Sequence, residues 1–154
     1  DGWWWTVPIA KLKMRRIDSV TDLRVPLVGR ALAIVKRRMG KSPDGFLFPS
    51  EGASGHIEQR AVGAAIWHHR PECKNRPHVV RPRFTIADFG AHDLRRTGRT
   101  MLSSMGCPTD VAEAIIGHVQ PGIQSVYNRY AYDAERRVWI TRLADRLEAL
   151  AKTG

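Results

Sequence analysis

A histidine and an arginine three positions apart, His92 and Arg95, are the first residues whose types and spacing point to chemistry. They fall in the stretch His-Asp-Leu-Arg-Arg-Thr, which we expect to open a helix, so both side chains share one face of its first turn. Backbone N–H groups without intrahelical partners lie at the same turn. A guanidinium that grips two phosphate oxygens, beside an imidazole that can donate a hydrogen bond or shuttle a proton, makes this turn a candidate phosphate site.

A Gly-His step at Gly117-His118 and then a tyrosine, Tyr127, follow this pair along the chain. On its own, the pair also fits a helix-capping histidine beside a solvated arginine, and it is the downstream residues that favour chemistry. A tyrosine is a weak nucleophile at its ordinary pKa, so attack on a phosphodiester needs removal of its proton and stabilisation of charge on the phosphoryl oxygens. Two nearby tyrosines, Tyr130 and Tyr132, would project in other directions on a helix, and we expect them to pack or contact DNA.

These motifs resemble those of the tyrosine recombinases of the phage integrase type. HDLRRT resembles the family's His-x-x-Arg box, IIGH its Leu-Gly-His box, and VYNRY the segment that bears its nucleophile. The separations of 23 positions from Arg95 to His118 and of nine from His118 to Tyr127 also fit. WTVP, KLKMRR and VPL near the N-terminus resemble the family's β-hairpin, whose turn carries a catalytic lysine. Alignment with the integrase pattern puts that lysine at Lys13, with Lys11 as the alternative.

The resemblance implies site-specific recombination of DNA through a 3′-phosphotyrosyl intermediate. Tyr127 would be the nucleophile, and Lys13 would protonate the 5′-hydroxyl leaving group. The residues that would stabilise charge on the phosphate are Arg95, His92 and His118. The resemblance implies no cofactor and no metal, because the covalent bond conserves the energy of the phosphodiester. The implied partners are double-stranded DNA and, in the full-length protein, three further copies in a homotetramer.

The same resemblance covers the chain from Trp3 to about Leu150, apart from a segment at residues 70–83. The family's first catalytic arginine and its N-terminal DNA-binding domains are expected upstream of Asp1, so we interpret residues 1–154 as part of a catalytic domain. Two other functions stay open from the sequence. One is a non-catalytic DNA-binding fragment or degenerate relative, and the other is a type IB topoisomerase-like enzyme.

Composition supports a nucleic-acid partner. The 154 residues include 25 Lys and Arg against 15 Asp and Glu, a formal net charge of +10. A basic protein kept soluble by its charge is the plainer alternative. No apolar run is long enough to span a bilayer and no signal-peptide pattern is present, so we expect a cytoplasmic, nucleoid-associated protein without a membrane partner. In that compartment Cys73 and Cys107 are expected to be reduced thiols.

The pattern of expected strands and helices predicts an α+β fold, mainly helical, with a small antiparallel sheet near the N-terminus. These elements must position the candidate site residues. Strands are expected at Trp3–Ile9 and Leu23–Leu27, on either side of a basic segment at Ala10–Asp22. Helical spacing of apolar residues predicts five helices. Their expected ranges are Val28 to a stop at Gly40, Ile57–His68, His92 to Gly106, Pro108–Ile116 and a last helix after Asp133.

Two apolar stripes and one irregular segment complete the pattern. The stripes are Leu94, Gly98, Met101, Leu102 and Met105 on one helix, and Ile140, Leu143, Leu147 and Leu150 on the last. Residues Arg70–Arg83 have no clean period and are expected to form an exposed insertion or a DNA-facing loop. His68, His69, His78 and Cys73 match no closed zinc pattern, so we assign no metal site to them.

Overall fold

The computed structural model describes residues 2–11, 22–41, 45–75, 79–86, 88–118 and 132–153. In these ranges the chain is helical with a small antiparallel sheet near its N-terminus, which confirms the α+β prediction. The chain forms two compact units. Unit 1 comprises Asp1–Arg37 and Gly98–Gly154, and unit 2 comprises Arg38–Thr97.

The strands and helices follow the predicted order. Strands β1 and β2 pair antiparallel, with Trp4 opposite Pro26 and Val7 opposite Leu23. The first strand is shorter than predicted, because a 3-10 turn begins at Ile9 directly after Pro8. The elements of the described residues are β1 (Trp4–Val7), β2 (Leu23–Pro26), α1 (Gly29–Met39), α2 (Gln59–His69), α3 (Ala91–Ser104), α4 (Thr109–Ile116) and α5 (Asp133–Thr153).

The hairpin of unit 1 is tied to the beginning of α5. Two guanidinium groups, those of Arg24 and Arg137, each lie 4.5 Å from the centre of the Trp4 ring. Arg24 also pairs with Asp133, the first residue of α5. Its carbonyl oxygen accepts a hydrogen bond of 2.9 Å from Nη1 of Arg136. Cation–π and charged contacts therefore join elements that are more than a hundred residues apart in sequence.

The core of unit 1 lies where α3 ends and α4 begins. Its buried residues are Leu102, Cys107, Val111 and Ala112, and Ile115, Tyr132, Trp139 and Leu143 pack against them. Between the two helices Gly106 has a φ of 81°, and the Cys107 N–H donates to the Leu102 carbonyl at 3.0 Å. This left-handed residue ends α3 where the sequence predicts a stop. Burial raises the pKa of the Cys107 thiol, and both Cys107 and Cys73 are free.

The segment after α2, in unit 2, is mostly exposed in its described residues, as the sequence predicts, and one arginine ties it to the end of the helix. Nη1 of Arg83 lies within hydrogen-bonding distance of the carbonyl oxygens of His68, Arg70 and Cys73, at 3.2, 2.8 and 3.1 Å. Cys73 itself is only 2% exposed. The last carbonyls of a helix have no intrahelical partner, and here the arginine supplies one. Arg83 is thus a structural residue within the described part of residues 70–83.

Three residues of the two predicted apolar stripes are exposed. Leu94 is 60% exposed, and Leu147 and Leu150 are 48% and 45% exposed. On α3 the burial begins later, at Leu102, roughly 12 Å along the helix from Leu94 at 1.5 Å per residue. As for α5, α4 has 8 residues and α5 has 21, so α4 alone is too short to cover the whole stripe. Periodicity alone does not reveal how much of a stripe has a partner.

Candidate active site

The first turn of α3 is closed by a backbone and side-chain exchange around Asp93. The Gly90 N–H donates to Oδ2 of Asp93 at 3.0 Å, and the Asp93 N–H donates to the Gly90 carbonyl at 3.1 Å. This pattern is that of a capping box, in which the third helical position reaches back to the cap. Asp93, and not His92, therefore supplies the side chain that caps the first turn of α3.

His92 and Arg95 lie one turn apart on α3, in unit 2, and both side chains are exposed. Within the part of the chain that the structure describes, neither side chain forms a hydrogen bond or an ion pair. The neighbouring Arg96 differs, because its Nη1 lies 3.5 Å from Oδ1 of Asp93. An exposed guanidinium and imidazole on one face, beside the positive end of a helix, are suited to binding a phosphate.

His118 directly follows a left-handed turn that ends α4, in unit 1. Gly117 has φ 66° and ψ 32°, and its N–H donates to the Ala114 carbonyl at 3.2 Å. The His118 N–H donates in turn to the Glu113 carbonyl at 2.9 Å. A Cβ atom at Gly117 would lie 2.9 Å from Cδ2 of Leu23. Both the backbone conformation and the packing therefore require glycine before His118.

Replacing this glycine should weaken the fold and misplace His118. For Gly117→Ala we expect the free energy of unfolding to fall by about 1–3 kcal/mol, because a left-handed residue with a Cβ costs about 1–2 kcal/mol and Leu23 must also move. Urea denaturation measures the change. Gly98→Ala is the matched control, since Gly98 is helical with open space around it, and it should stabilise unit 1 by about 0.5–1 kcal/mol. Equal changes in the free energy of unfolding for the two variants would contradict the conclusion that position 117 requires glycine.

Glu113 connects His118 to α3. Its Oε2 lies 2.8 Å from Nδ1 of His118, and its Oε1 accepts a hydrogen bond of 2.7 Å from Nε of Arg99. Arg99 also contacts the hydroxyl of Ser103. The hydrogen bond from Arg99 is the main cause that lowers the pKa of the Glu113 carboxyl, and the hydrogen bond with His118 lowers it further.

Sequence reasoning missed Glu113 and Arg99. One signal was present: Glu113 lies in the last turn of α4, where the helix dipole disfavours a negative charge. An acidic residue at that position is stabilised when cations lie beside it, and an arginine and a histidine provide that here. The pairing of positions 99 and 113, on different helices, is set by the turn at Gly106 and does not follow from any spacing rule.

The two remaining predicted site residues, Lys13 and Tyr127, lie outside the described residues. Lys11, the alternative lysine, is exposed at the end of the 3-10 turn, and its N–H donates to the Pro8 carbonyl at 2.8 Å. The choice between Lys11 and Lys13 stays a prediction. Of the residues that the structure describes, His92 and Arg95 share one turn, and His118 is held by Glu113 in the other unit.

The histidines near Cys73 give no metal centre in the described ranges. Nδ1 of His68 lies 3.9 Å from the Cys73 sulfur, and Nδ1 of His69 lies 2.8 Å from the Pro82 carbonyl. The described residues contain no group of three or more His, Cys, Asp or Glu side chains placed to hold an ion. His78, the fourth residue considered from the sequence, lies outside these ranges.

Comparison with known proteins decides the family. The sequence matches the phage integrase family over residues 4–135. The chain belongs to the phage integrase family. All five residues predicted for the site, from Lys13 to Tyr127, fall inside the matched range of this integrase family.

The integrase chain is also similar to the prophage integrase IntA of Escherichia coli strain K12. The two are 31% identical over 154 residues, an alignment that covers 94% of this chain and 31% of the relative. The chain thus spans less than a third of the length of this curated relative. A comparison with solved structures found no match. No helix within the described ranges has the length and apolarity needed to cross a membrane.

Proposed function

We propose that this chain carries the catalytic residues of a site-specific DNA recombinase, and that Tyr127 forms a covalent bond with DNA. The observation that carries the proposal is the order His-x-x-Arg, Gly-His, Tyr inside a range that matches the phage integrase family. The prophage integrase of E. coli is named for integration, and family membership extends that class of activity to this chain as a proposal.

The proposed reaction begins with attack of the Tyr127 oxygen on a DNA phosphorus. The tyrosine hydroxyl passes its proton to an imidazole of the site as a new tyrosyl O–P bond forms on the 3′ side. The bond between phosphorus and the 5′ oxygen breaks, and Lys13 protonates the departing 5′ oxygen. A second 5′-hydroxyl then attacks the phosphotyrosyl bond, which releases the tyrosine and joins the new strand. The phosphate energy is conserved in the covalent bond, so the proposed cycle uses neither nucleotide nor metal.

Charge on the phosphoryl group is the main obstacle in this reaction, and the exposed face of α3 is suited to stabilising it. Arg95 can donate two parallel N–H bonds to the non-bridging oxygens, with His92 as a further donor on the same turn. The role of His118 is a hydrogen bond to the same phosphate. The net charge of +10 supports binding to the backbone of double-stranded DNA before the chemistry. We further propose that four copies of the full-length protein act together, as a homotetramer, on two DNA duplexes.

A trapping assay tests the proposal. A pool of nicked suicide duplexes with a randomised central sequence is incubated with the 154-residue chain and, if the natural protein extends beyond it, with the full-length protein. The nick lets the short cleaved strand diffuse away, so that a covalent adduct accumulates and survives denaturing electrophoresis. We expect an adduct whose modified peptide contains Tyr127 and whose DNA is attached through its 3′ phosphate.

The same assay separates the other functions. Retention of DNA with no adduct from the full-length protein would overturn the recombinase in favour of a non-catalytic DNA-binding module. An adduct together with relaxation of supercoiled plasmid, but without exchange between two labelled duplexes, would indicate a type IB topoisomerase-like enzyme. Exchange of strands between the duplexes that were trapped is the result expected of a recombinase.

A further inference from the structure

One carboxylate in unit 1 holds two cationic side chains that come from different places in the chain. Glu113 contacts Arg99 through Oε1 at 2.7 Å and His118 through Oε2 at 2.8 Å. The side chains of Glu113 and Arg99 are 22% and 24% exposed, whereas that of His118 is 56% exposed. The carboxylate is therefore mostly covered, and the imidazole that it holds is open to solvent on its other side.

The contact determines which nitrogen of His118 carries a proton. The hydrogen bonds from Arg99 and then from His118 lower the pKa of Glu113, so its carboxyl is ionised at neutral pH. An ionised carboxylate only accepts hydrogen bonds. Nδ1 of His118 must then be the donor, and Nε2 is the ring nitrogen left to meet another group.

We propose that Glu113 is the positioning residue of His118: it binds Nδ1–H, so that Nε2 is the nitrogen that takes up a proton and, in the resulting imidazolium, donates to the DNA phosphate, while Arg99 holds the carboxylate in place. The inference rests on the proposed function for its last step, since it assumes that His118 contacts the phosphate. A histidine whose second ring nitrogen is bound by a carboxylate has a fixed ring orientation and a fixed tautomer.

The backbone reinforces this arrangement. The Glu113 carbonyl accepts the His118 N–H at 2.9 Å, so the same residue binds both the main chain and the ring of His118. The left-handed Gly117 makes this double contact possible, because it turns the chain back toward the last turn of α4. The ring is thus ordered before DNA binds, which lowers the entropy lost when it engages a phosphate.

A glutamine at position 113 gives a sharp test because only one of its two terminal atoms can accept a hydrogen bond. In Glu113→Gln the amide oxygen is expected to stay with Arg99, whose guanidinium can only donate. The amide NH₂ then faces Nδ1 of His118, which must become an acceptor, and the proton moves to Nε2. The substitution keeps the shape of the side chain and reverses the tautomer.

The matched control is Glu148→Gln. Glu148 forms the same kind of pair with Arg30, through two hydrogen bonds of 2.7 Å, and it lies on α5 in the same unit. The Glu148→Gln substitution removes an arginine–carboxylate pair whose members do not contact His118. A change caused merely by loss of an ion pair in unit 1 would therefore appear in both variants.

The first measurement is the tautomer of His118 in the free protein. Long-range ¹H–¹⁵N spectra of histidine-labelled protein are recorded about two pH units above the ordinary histidine pKa of about 6.5. His118→Asn identifies the signal among the six histidines. We expect the Nδ1–H form in the wild type and in Glu148→Gln, and a shift toward Nε2–H in Glu113→Gln. The same tautomer in all three proteins would overturn the assignment of Glu113.

The second measurement is the rate of adduct formation under single-turnover conditions. Loss of the carboxylate behind a metal-bound histidine typically costs about 10–100-fold, and by analogy we expect Glu113→Gln to slow cleavage by at least about 10-fold with duplex affinity unchanged. Glu148→Gln should cleave at the wild-type rate. If the wild type cleaves and Glu113→Gln cleaves as fast, Glu113 has no positioning role. If the wild type forms no adduct, the proposed function fails, and the spectra still decide whether Glu113 sets the tautomer.

Discussion

A protein with Tyr127→Phe should bind duplex DNA with wild-type affinity and form no covalent adduct. The substitution removes only the hydroxyl oxygen, which in the proposed reaction is the atom that bonds to phosphorus. Removal of the nucleophile of a covalent enzyme can cost on the order of 10⁶-fold in rate, and no other group can restore the phosphotyrosyl bond. The measurements are denaturing electrophoresis of the suicide-substrate reaction and a binding titration on the same duplex.

Tyr132→Phe is the matched control for that experiment. Tyr132 packs against the core cluster of unit 1, is half-buried, and directly precedes α5. Phenylalanine keeps the ring that packs there, so we expect the rate of adduct formation to change by less than about 3-fold. Such a change corresponds to less than about 0.6 kcal/mol in activation free energy. An adduct that survives in Tyr127→Phe and disappears in Tyr132→Phe would move the nucleophile to position 132.

Helix ends were the most predictable part of the fold. Glycine is the residue that ends a helix in the left-handed conformation without a steric penalty, and Gly106 and Gly117 do so, with φ of 81° and 66°. The stop predicted at Gly40 is also confirmed, since α1 ends at Met39. These predictions succeed because the cause is local: one residue type relieves one backbone conformation.

Predictions that depend on a partner element were less successful. Leu94 and Leu150 have the spacing of buried residues and are exposed, because burial depends on how far a neighbouring helix extends. Arg83 falls in a segment without periodicity, yet its guanidinium binds carbonyl oxygens at the end of α2. Such contacts join residues that no sequence spacing relates, and they appear only when the chain is folded.

In the candidate site, too, local features could be predicted from the sequence, whereas contacts between different elements could not. The His-x-x-Arg turn could be predicted from its spacing, and the structure places His92 and Arg95 one turn apart on α3. The role of Asp93 as the capping residue is equally local. For Glu113, its place in the last turn of α4, five positions before His118, was a local signal that sequence reasoning missed. Its contact with Arg99 could not be predicted, because that contact depends on how α4 packs after the turn at Gly106.

The second large effect is expected at Arg95. In Arg95→Lys the positive charge remains, but a lysine cannot donate two parallel hydrogen bonds to the oxygens of one phosphate. If Arg95 stabilises the phosphoryl group in the transition state, its loss should slow cleavage by about 10²–10³-fold, the usual cost of removing one such donor. Duplex affinity should change little, because the ground-state charge is conserved. Single-turnover adduct formation and a binding titration measure the two quantities separately.

Arg96→Lys is the matched control, since it makes the same replacement one position further along α3. Arg96 points about 100° away from Arg95 around the helix, and it pairs with Asp93 at 3.5 Å with both side chains largely exposed. Its replacement should leave the cleavage rate within about 3-fold of wild type, because an exposed pair of this kind contributes less than about 1 kcal/mol. Equal losses at positions 95 and 96 would mean that α3 acts through its overall charge, and the bidentate role of Arg95 would have to be abandoned. A large loss confined to Arg95 is what a phosphate bound at the first turn of α3 requires.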